Sequence, residues 1–360
     1  MQTQRNELNF EGQNIFVGID VHLKSWTVCI MTDHFEHKRF TQPPEPMALY
    51  AYLSRSFPGA TYYSVYESGF GGYWAHRRLE ALGIKNIITN AADVPTGQKE
   101  KVQKDDAADS RKLARLLRSG DLGAIYVPSE STQEERALIR IRATPVKDMS
   151  RFKNRIKSFL YFFGIRYPER FNSSKSHWSK NFLCWLKEEV KLTQESGKQS
   201  LNILIQAVVE QRKSLLLITR QIRKLSITGK YDVNVKLLKT IPGIGLITAM
   251  TFLTEMDTLE RFENTDHFAA FVGLVPNRHN SGEVKNRGEM TFRGQSALKK
   301  SIVESAWIAA RKDPAPCLAY NKYVQRMNPN NAIIRIARKL LNRIYFVLKN
   351  KQEYVTCIVK

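Results

Sequence analysis

Short apolar runs separated by polar turns fill the first part of the chain, and a helical spacing takes over after them. Residues 15–20 (IFVGID) form an apolar run that ends in an acid, and residues 25–31 (SWTVCIM) form a second β-like run. Residues 35–40 read as a third. Residues 61–67 (TYYSVYE) are rich in aromatic and β-forming side chains and again end in an acid. Gly69, Gly71 and Gly72 follow, then a helix-like stretch over 73–82 and a strand-like NIIT at 86–89. Three leading strands followed by strand–helix–strand predict a mixed α/β sheet domain.

The period changes at Asp105. Ala108, Leu113, Leu116 and Leu117 mark a helix through Arg118, which Gly120 and Gly123 end before a loop closed by Pro128. Residues 129–164 and 200–226 read as long helices, the first studded with Arg and Lys, the second with clustered Leu and Ile. Together they predict an antiparallel or dimerising coiled region. A third section starts near Val235 with LLKTIPGIGLITAMTFLTEM. It continues as a short helix to Gly273, a Gly- and Arg-rich loop over 276–294, and helices over 296–311 and 331–350. The expected division is 1–125, 126–232 and 233–360.

Composition sharpens this picture. Of the 360 residues, 42% are hydrophobic, enough for real cores and too many for a disordered chain. Lys and Arg number 56 against 34 Asp and Glu, a net charge of +22. Residues 1–110 carry 11 Lys/Arg and 13 Asp/Glu, whereas residues 111–360 carry 45 and 21, so the positive excess belongs to the later part. A basic surface of this size is the footprint of a polyanion partner, DNA or RNA. No Trp-anchored amphipathic basic helix favours a membrane surface instead. Cys29, Cys184, Cys317 and Cys357 are scattered without a CxxC pair, which excludes a disulfide framework or zinc ribbon and fits a reducing cytoplasm. Neither a secretory leader nor a run of about 18 apolar residues occurs, so no membrane span is expected.

Four acids carry the candidate chemistry. Asp20 ends the first strand, Glu67 ends the fourth, and Asp106 and Asp109 share a helix face three residues apart. Hard oxygen ligands of this kind bind magnesium or manganese, and such ions clamp the attacking and leaving oxygens of a phosphodiester. Asp105 rivals Asp106, because Asp105 and Asp109 also share a face at i,i+4. Farther on, IPGIG at 241–245 between two apolar helical segments reads as a helix-hairpin-helix turn. There Gly243 and Gly245 let backbone N–H groups approach a phosphate. Ser281 stands between Asn280 and Gly282. By itself it is a turn residue, but His279, Arg278, Lys285, Arg287 and Arg293 surround it with groups that would hold a phosphate beside a hydroxyl nucleophile.

These pieces line up in one order: GIDVH with Asp20, YES with Glu67, KDDAADSRKLARLL with Asp106 and Asp109, IPGIG, and FVGLVPNRHNSGEVKNRGEMTFRG with Ser281. The chain resembles the DEDD transposases of the insertion-sequence family numbered one hundred and ten and the related Piv DNA invertases. The resemblance runs from about residue 15 to 311. It implies a RuvC-like, RNase H-type N-terminal domain whose metal ligands are Asp20, Glu67, Asp106 and Asp109. It also implies a helical middle region and a mainly α C-terminal transposase domain. Asp105 stands where the family usually has Thr, which favours Asp106 as the matching acid. Ser281 matches the family's nucleophile, which forms a covalent phosphoserine link with DNA. Asn280 replaces a second Ser that many members carry, so only one Ser fits.

The resemblance further implies dimers or tetramers and a structured bridge RNA that pairs with target and donor DNA. It places the protein in a bacterial or archaeal cytoplasm at the nucleoid. Two rivals use the same residues differently. A junction-resolving nuclease would activate water at the acids and leave Ser281 structural. A non-catalytic binding protein would show salt-dependent binding without strand chemistry.

Overall fold

The computed structural model describes residues 9–95, 105–281, 284–291 and 293–356, with the side chains of 277–281 and 284–289 outside that description. It divides into two compact units, Met1–Val127 and Pro128–Lys360. The boundary leaves the cations of residues 111–118 with the first unit, although by sequence they belonged to the basic later part.

The first unit is built on a five-stranded sheet of order β3-β2-β1-β4-β5. The strands are β1 (Asn14–Val21), β2 (Trp26–Met31), β3 (Glu36–Gln42), β4 (Thr61–Glu67) and β5 (Lys85–Thr89). The first three are antiparallel, and β4 and β5 run parallel to β1. This mixed order is consistent with an RNase H-like fold. Alternation explains the layers. Ile15, Val17 and Ile19 of β1 face one side, where they share a core with Leu49 and Leu53 of α1 (Pro46–Ser56) and Leu79 of α2 (Trp74–Ala81). The opposite face is covered by α3 (Asp106–Ser119), with Ala114 against Cys29 and Met31, and Leu113 against Val65.

Among its described residues, the second unit is helical apart from one hairpin. Helices α4 (Glu130–Ile141) and α5 (Ala143–Phe162) replace the single helix predicted over 129–164. The break follows from Pro145, which has no N–H for the carbonyl of Ile141 and crowds it. Helix α5 packs antiparallel to α7 (Glu195–Ser226). Arg142 Nε donates to Thr219 Oγ1 at 3.4 Å near one end, and Ile156 and Leu160 share a core with Leu201, Ile205 and Val208 near the other. That smaller core also holds Phe182, Trp185 and Leu186 of α6 (Lys180–Glu188).

The larger core gathers α8 (Asp232–Lys239), α9 (Leu246–Met256), α10 (Thr265–Val272), α11 (Ser296–Lys312) and α13 (Pro329–Asn350), with α12 (Pro314–Val324) alongside. Ile139 and Ile222 belong to this same core, so the middle and C-terminal helices fold as one body.

The loop expected over 276–294 is instead a β-hairpin of β6 (Pro276–Ser281) and β7 (Val284–Met290). Val284 is its only β-branched residue, so propensity gave no strand signal. Its base is fixed where Gly273 and Gly294 approach so closely that a Cβ on Gly294 would lie 2.6 Å from the Gly273 backbone. Gln295 N–H donates to the Phe271 carbonyl at 3.0 Å beside them.

Candidate active site

Gly18 places the site. It points to the same face of β1 as Asp20, two residues on. A Cβ there would meet Ser110 O at 2.0 Å and Ala114 N at 2.4 Å, so only a glycine lets α3 lie directly on the strand. The start of α3 then falls at the C-terminal end of β1. Beside it, β4 runs parallel with Ile19 opposite Tyr66, so Asp20 and Glu67 are the next residues on neighbouring strands.

Asp20, His22 and Asp106 offer ligand atoms that all lie within 4.8 Å of one another. His22 Nε2 is 3.1 Å from Asp20 Oδ2 and 3.3 Å from Asp106 Oδ2. Burial pushes the Asp20 carboxyl above its ordinary value, His22 opposes that shift, and the negative charges of Asp106 and Asp109 add to it. Crowded, partly dehydrated carboxylates of this kind are relieved by a divalent cation. The carboxylate oxygens fit magnesium or manganese, and the imidazole nitrogen is the softer donor of the three. Glu67 stands beside this group on β4 but outside its close cluster.

The two rival acids have different work. Asp105 is the N-cap of α3, where its carboxylate accepts the Ala107 N–H at 3.1 Å. Asp106 faces Asp20 and His22. Both Asp106 and Asp109 sit in the first turn, where the helix dipole favours negative charge. His22 was not singled out from the sequence. Its signal was the His two residues after the acid in GIDVH, at a position that reads as an ordinary exposed turn.

In the second unit, the sequence-predicted residues fall on three features. IPGIG joins α8 to α9, with Gly243 at φ +95°. A Cβ on Gly243 would lie 2.4 Å from Ser305 O, so this glycine admits the backbone of α11, while Gly245 is the exposed N-cap of α9. Ser281 is the last residue of β6 and pairs with Val284, flanking the hairpin tip. The same register sets Arg278 opposite Arg287 and Asn280 opposite Lys285. The side chains of Ser281, Arg278, Lys285 and Arg287 lie outside the described residues. Arg293 is exposed just past the hairpin.

A mixed sheet with acids at the ends of β1 and β4 and at the start of the covering helix is consistent with the RNase H-like domain of a DEDD transposase. A DEDD model of the IS110 group, described as "Transposase", matches residues 17–164, and one described as "Transposase IS116/IS110/IS902 family" matches residues 235–321. The chain belongs to this IS110/IS116 family of DEDD transposases.

Among its relatives is the putative transposase y4qE of Sinorhizobium fredii, 31% identical over 245 residues, covering 68% of this chain and 58% of that protein. The chain thus spans less than two thirds of that relative. The transposase for insertion sequence element IS1111A of Coxiella burnetii is 23% identical over 290 residues, 79% of this chain and 77% of that one. The pilin gene-inverting protein of Moraxella lacunata is 27% identical over 176 residues, 45% of this chain and 53% of that one. No helix among the described residues is long and apolar enough to cross a membrane.

Proposed function

We propose that the chain is the transposase of an insertion sequence, which cuts and rejoins DNA through a covalent bond to Ser281 at a metal-dependent site. The observation that supports this reading best is the convergence of Asp20 and Asp106 within ligand distance in a chain of this family. Asp20, Glu67, Asp106 and Asp109 hold the metal. Magnesium or manganese supplies Lewis-acid stabilisation of the charge that develops on the scissile phosphate.

Ser281 Oγ attacks phosphorus. The bond to the 3′ oxygen breaks, and the departing strand leaves as a free 3′-hydroxyl carrying the proton. The phosphoserine conserves the energy of the broken bond. A 3′-hydroxyl of the partner strand then attacks it and regenerates Ser281, so no external energy source is needed. Arg278, Lys285, Arg287 and Arg293 contact phosphates, and His279 assists proton transfer. Gly245, exposed at the start of α9, offers N–H groups to a further phosphate, with Gly243 shaping the turn. A structured bridge RNA selects donor and target DNA, and dimers or tetramers bring the acids of one protomer to the serine of another.

The test is a covalent trap. Full-length protein, magnesium, labelled donor DNA and RNA transcribed from beside the gene are run on a denaturing gel next to Ser281→Ala. A labelled adduct lost in the variant is the expected result. Cleaved DNA without an adduct would replace the serine scheme with a water-using nuclease.

A further inference from the structure

The flank of α3 turned away from the acids is lined with cations. At 100° per residue, Arg111, Arg115 and Arg118 form one stripe about half a turn from Asp106 and Asp109. This stripe lines a cleft of about 440 Å³ together with Arg39, Phe35 and His34 from the β2–β3 edge.

Its charge is one-sided. Among the described residues the only carboxylate in the lining is Glu36, whose two oxygens take Arg39 Nε at 2.6 Å and Arg111 Nε at 2.7 Å. Glu36 thereby fixes two guanidiniums and neutralises one charge, while Lys112, Arg115 and Arg118 also line the cleft. At its edge Phe35 is 60% exposed, on a turn braced by Thr32, whose Oγ1 accepts the Phe35 N–H at 3.2 Å. An exposed ring costs free energy in water, and here the turn presents it beside a row of cations. That combination, an exposed π-face with a cationic track, is one way proteins hold single-stranded nucleic acid.

We propose that this cleft binds a single-stranded nucleic-acid segment, with one base stacked on Phe35 and its phosphates on Arg39, Arg111, Arg115 and Arg118. It lies on the flank of α3 away from Asp20 and Asp106, so it is a site separate from the acids. The ligand class rests on the nucleic-acid reading above, but the site needs neither metal nor Ser281.

The experiment uses the full chain in EDTA with short single strands of RNA and of DNA carrying 5-iodopyrimidines. After irradiation and trypsin digestion, mass spectrometry locates the crosslinks. The expected result is labelling of Phe35 within the peptide 25–38. The yield there falls about tenfold or more in Arg115→Gln/Arg118→Gln, the loss expected for charge-assisted contacts. Labelling by RNA, by DNA or by both supports the shared chemistry and assigns the strand. Absence of label from this peptide, whatever else is labelled, overturns the proposal, as does a yield the double variant leaves unchanged. Strand chemistry is off in EDTA, so this result and the covalent trap fail independently.

Discussion

Gly18 decides how closely α3 approaches the sheet, and through that, how closely Asp106 approaches Asp20. A methyl group at Gly18 would sit 2.0 Å from Ser110 O, a contact that forces the helix away. Gly18→Ala is expected to destabilise the chain by about 1–3 kcal/mol, in the range of overpacked cores. Urea unfolding checks this, and an unchanged midpoint would mean that α3 does not rest on β1. The neighbouring acids separate in the same way. Asp105→Ala should cost about 1 kcal/mol for the lost cap and keep the rise in melting temperature that magnesium or manganese produces. Asp106→Asn should relieve repulsion on Asp20, keep the fold and lose that rise. The reverse pattern would make Asp105 the ligand. From the sequence, the spacing of the acids was legible because strand ends and helix turns have fixed periods. The choice of Asp106 over Asp105 came from the family resemblance and not from the spacing, which allows both, since it turns on which carboxylate caps its own helix. His22 was missed because nothing local distinguishes a ligand-competent His from a solvated one.

At the scale of elements, the strands of the first unit were readable because each is a short apolar run bounded by turn residues, and β4 matches its expected limits. The expected loop over 276–294 failed for the opposite reason: a polar, Arg-rich hairpin held by main-chain pairing has no hydrophobic alternation to read. Helix α1 was overlooked although Leu49 and Leu53 sit one turn apart behind Pro46 at its start. Between α4 and α9 the decisive contact is a buried charge cluster. Glu255 has a side chain only 1% exposed, and Arg140 Nε and Nη2 donate to its two oxygens at 2.6 and 2.7 Å. Arg136 lies beside it and donates to the Thr254 and Glu255 carbonyls at 3.0 and 3.3 Å. Removing the carboxylate leaves Arg136 buried without its counter-charge. Glu255→Ala is therefore expected to cost about 3–5 kcal/mol, and the isosteric Glu255→Gln less. Denaturant titration separates these, and a cost near zero for both would mean that the pair does not hold α4 on α9.

For the whole molecule, the proposed mechanism gives charge and metal different steps. The first unit carries 15 Lys/Arg and 14 Asp/Glu and is nearly neutral, while the second carries 41 and 20. Even in the neutral unit the charges are sorted: acids gather at the start of α3 and cations along its other flank. Nucleic-acid affinity should therefore draw its salt dependence from phosphate neutralisation by the cations and none of it from the acids. Its logarithm should fall linearly with the logarithm of salt concentration, by about 0.7–0.9 per phosphate contact. EDTA and Asp20→Asn should leave that line where it is and abolish strand cleavage, because the acids serve the chemistry and not the grip. Fluorescence anisotropy across a salt series, with and without magnesium, measures the affinity, and a denaturing gel of the same samples measures cleavage. If affinity instead drops when metal is removed, the acids hold the nucleic acid through a bridging ion. The basic surface would then not be sufficient to bind it, and the division of labour between the two charge signs would be wrong.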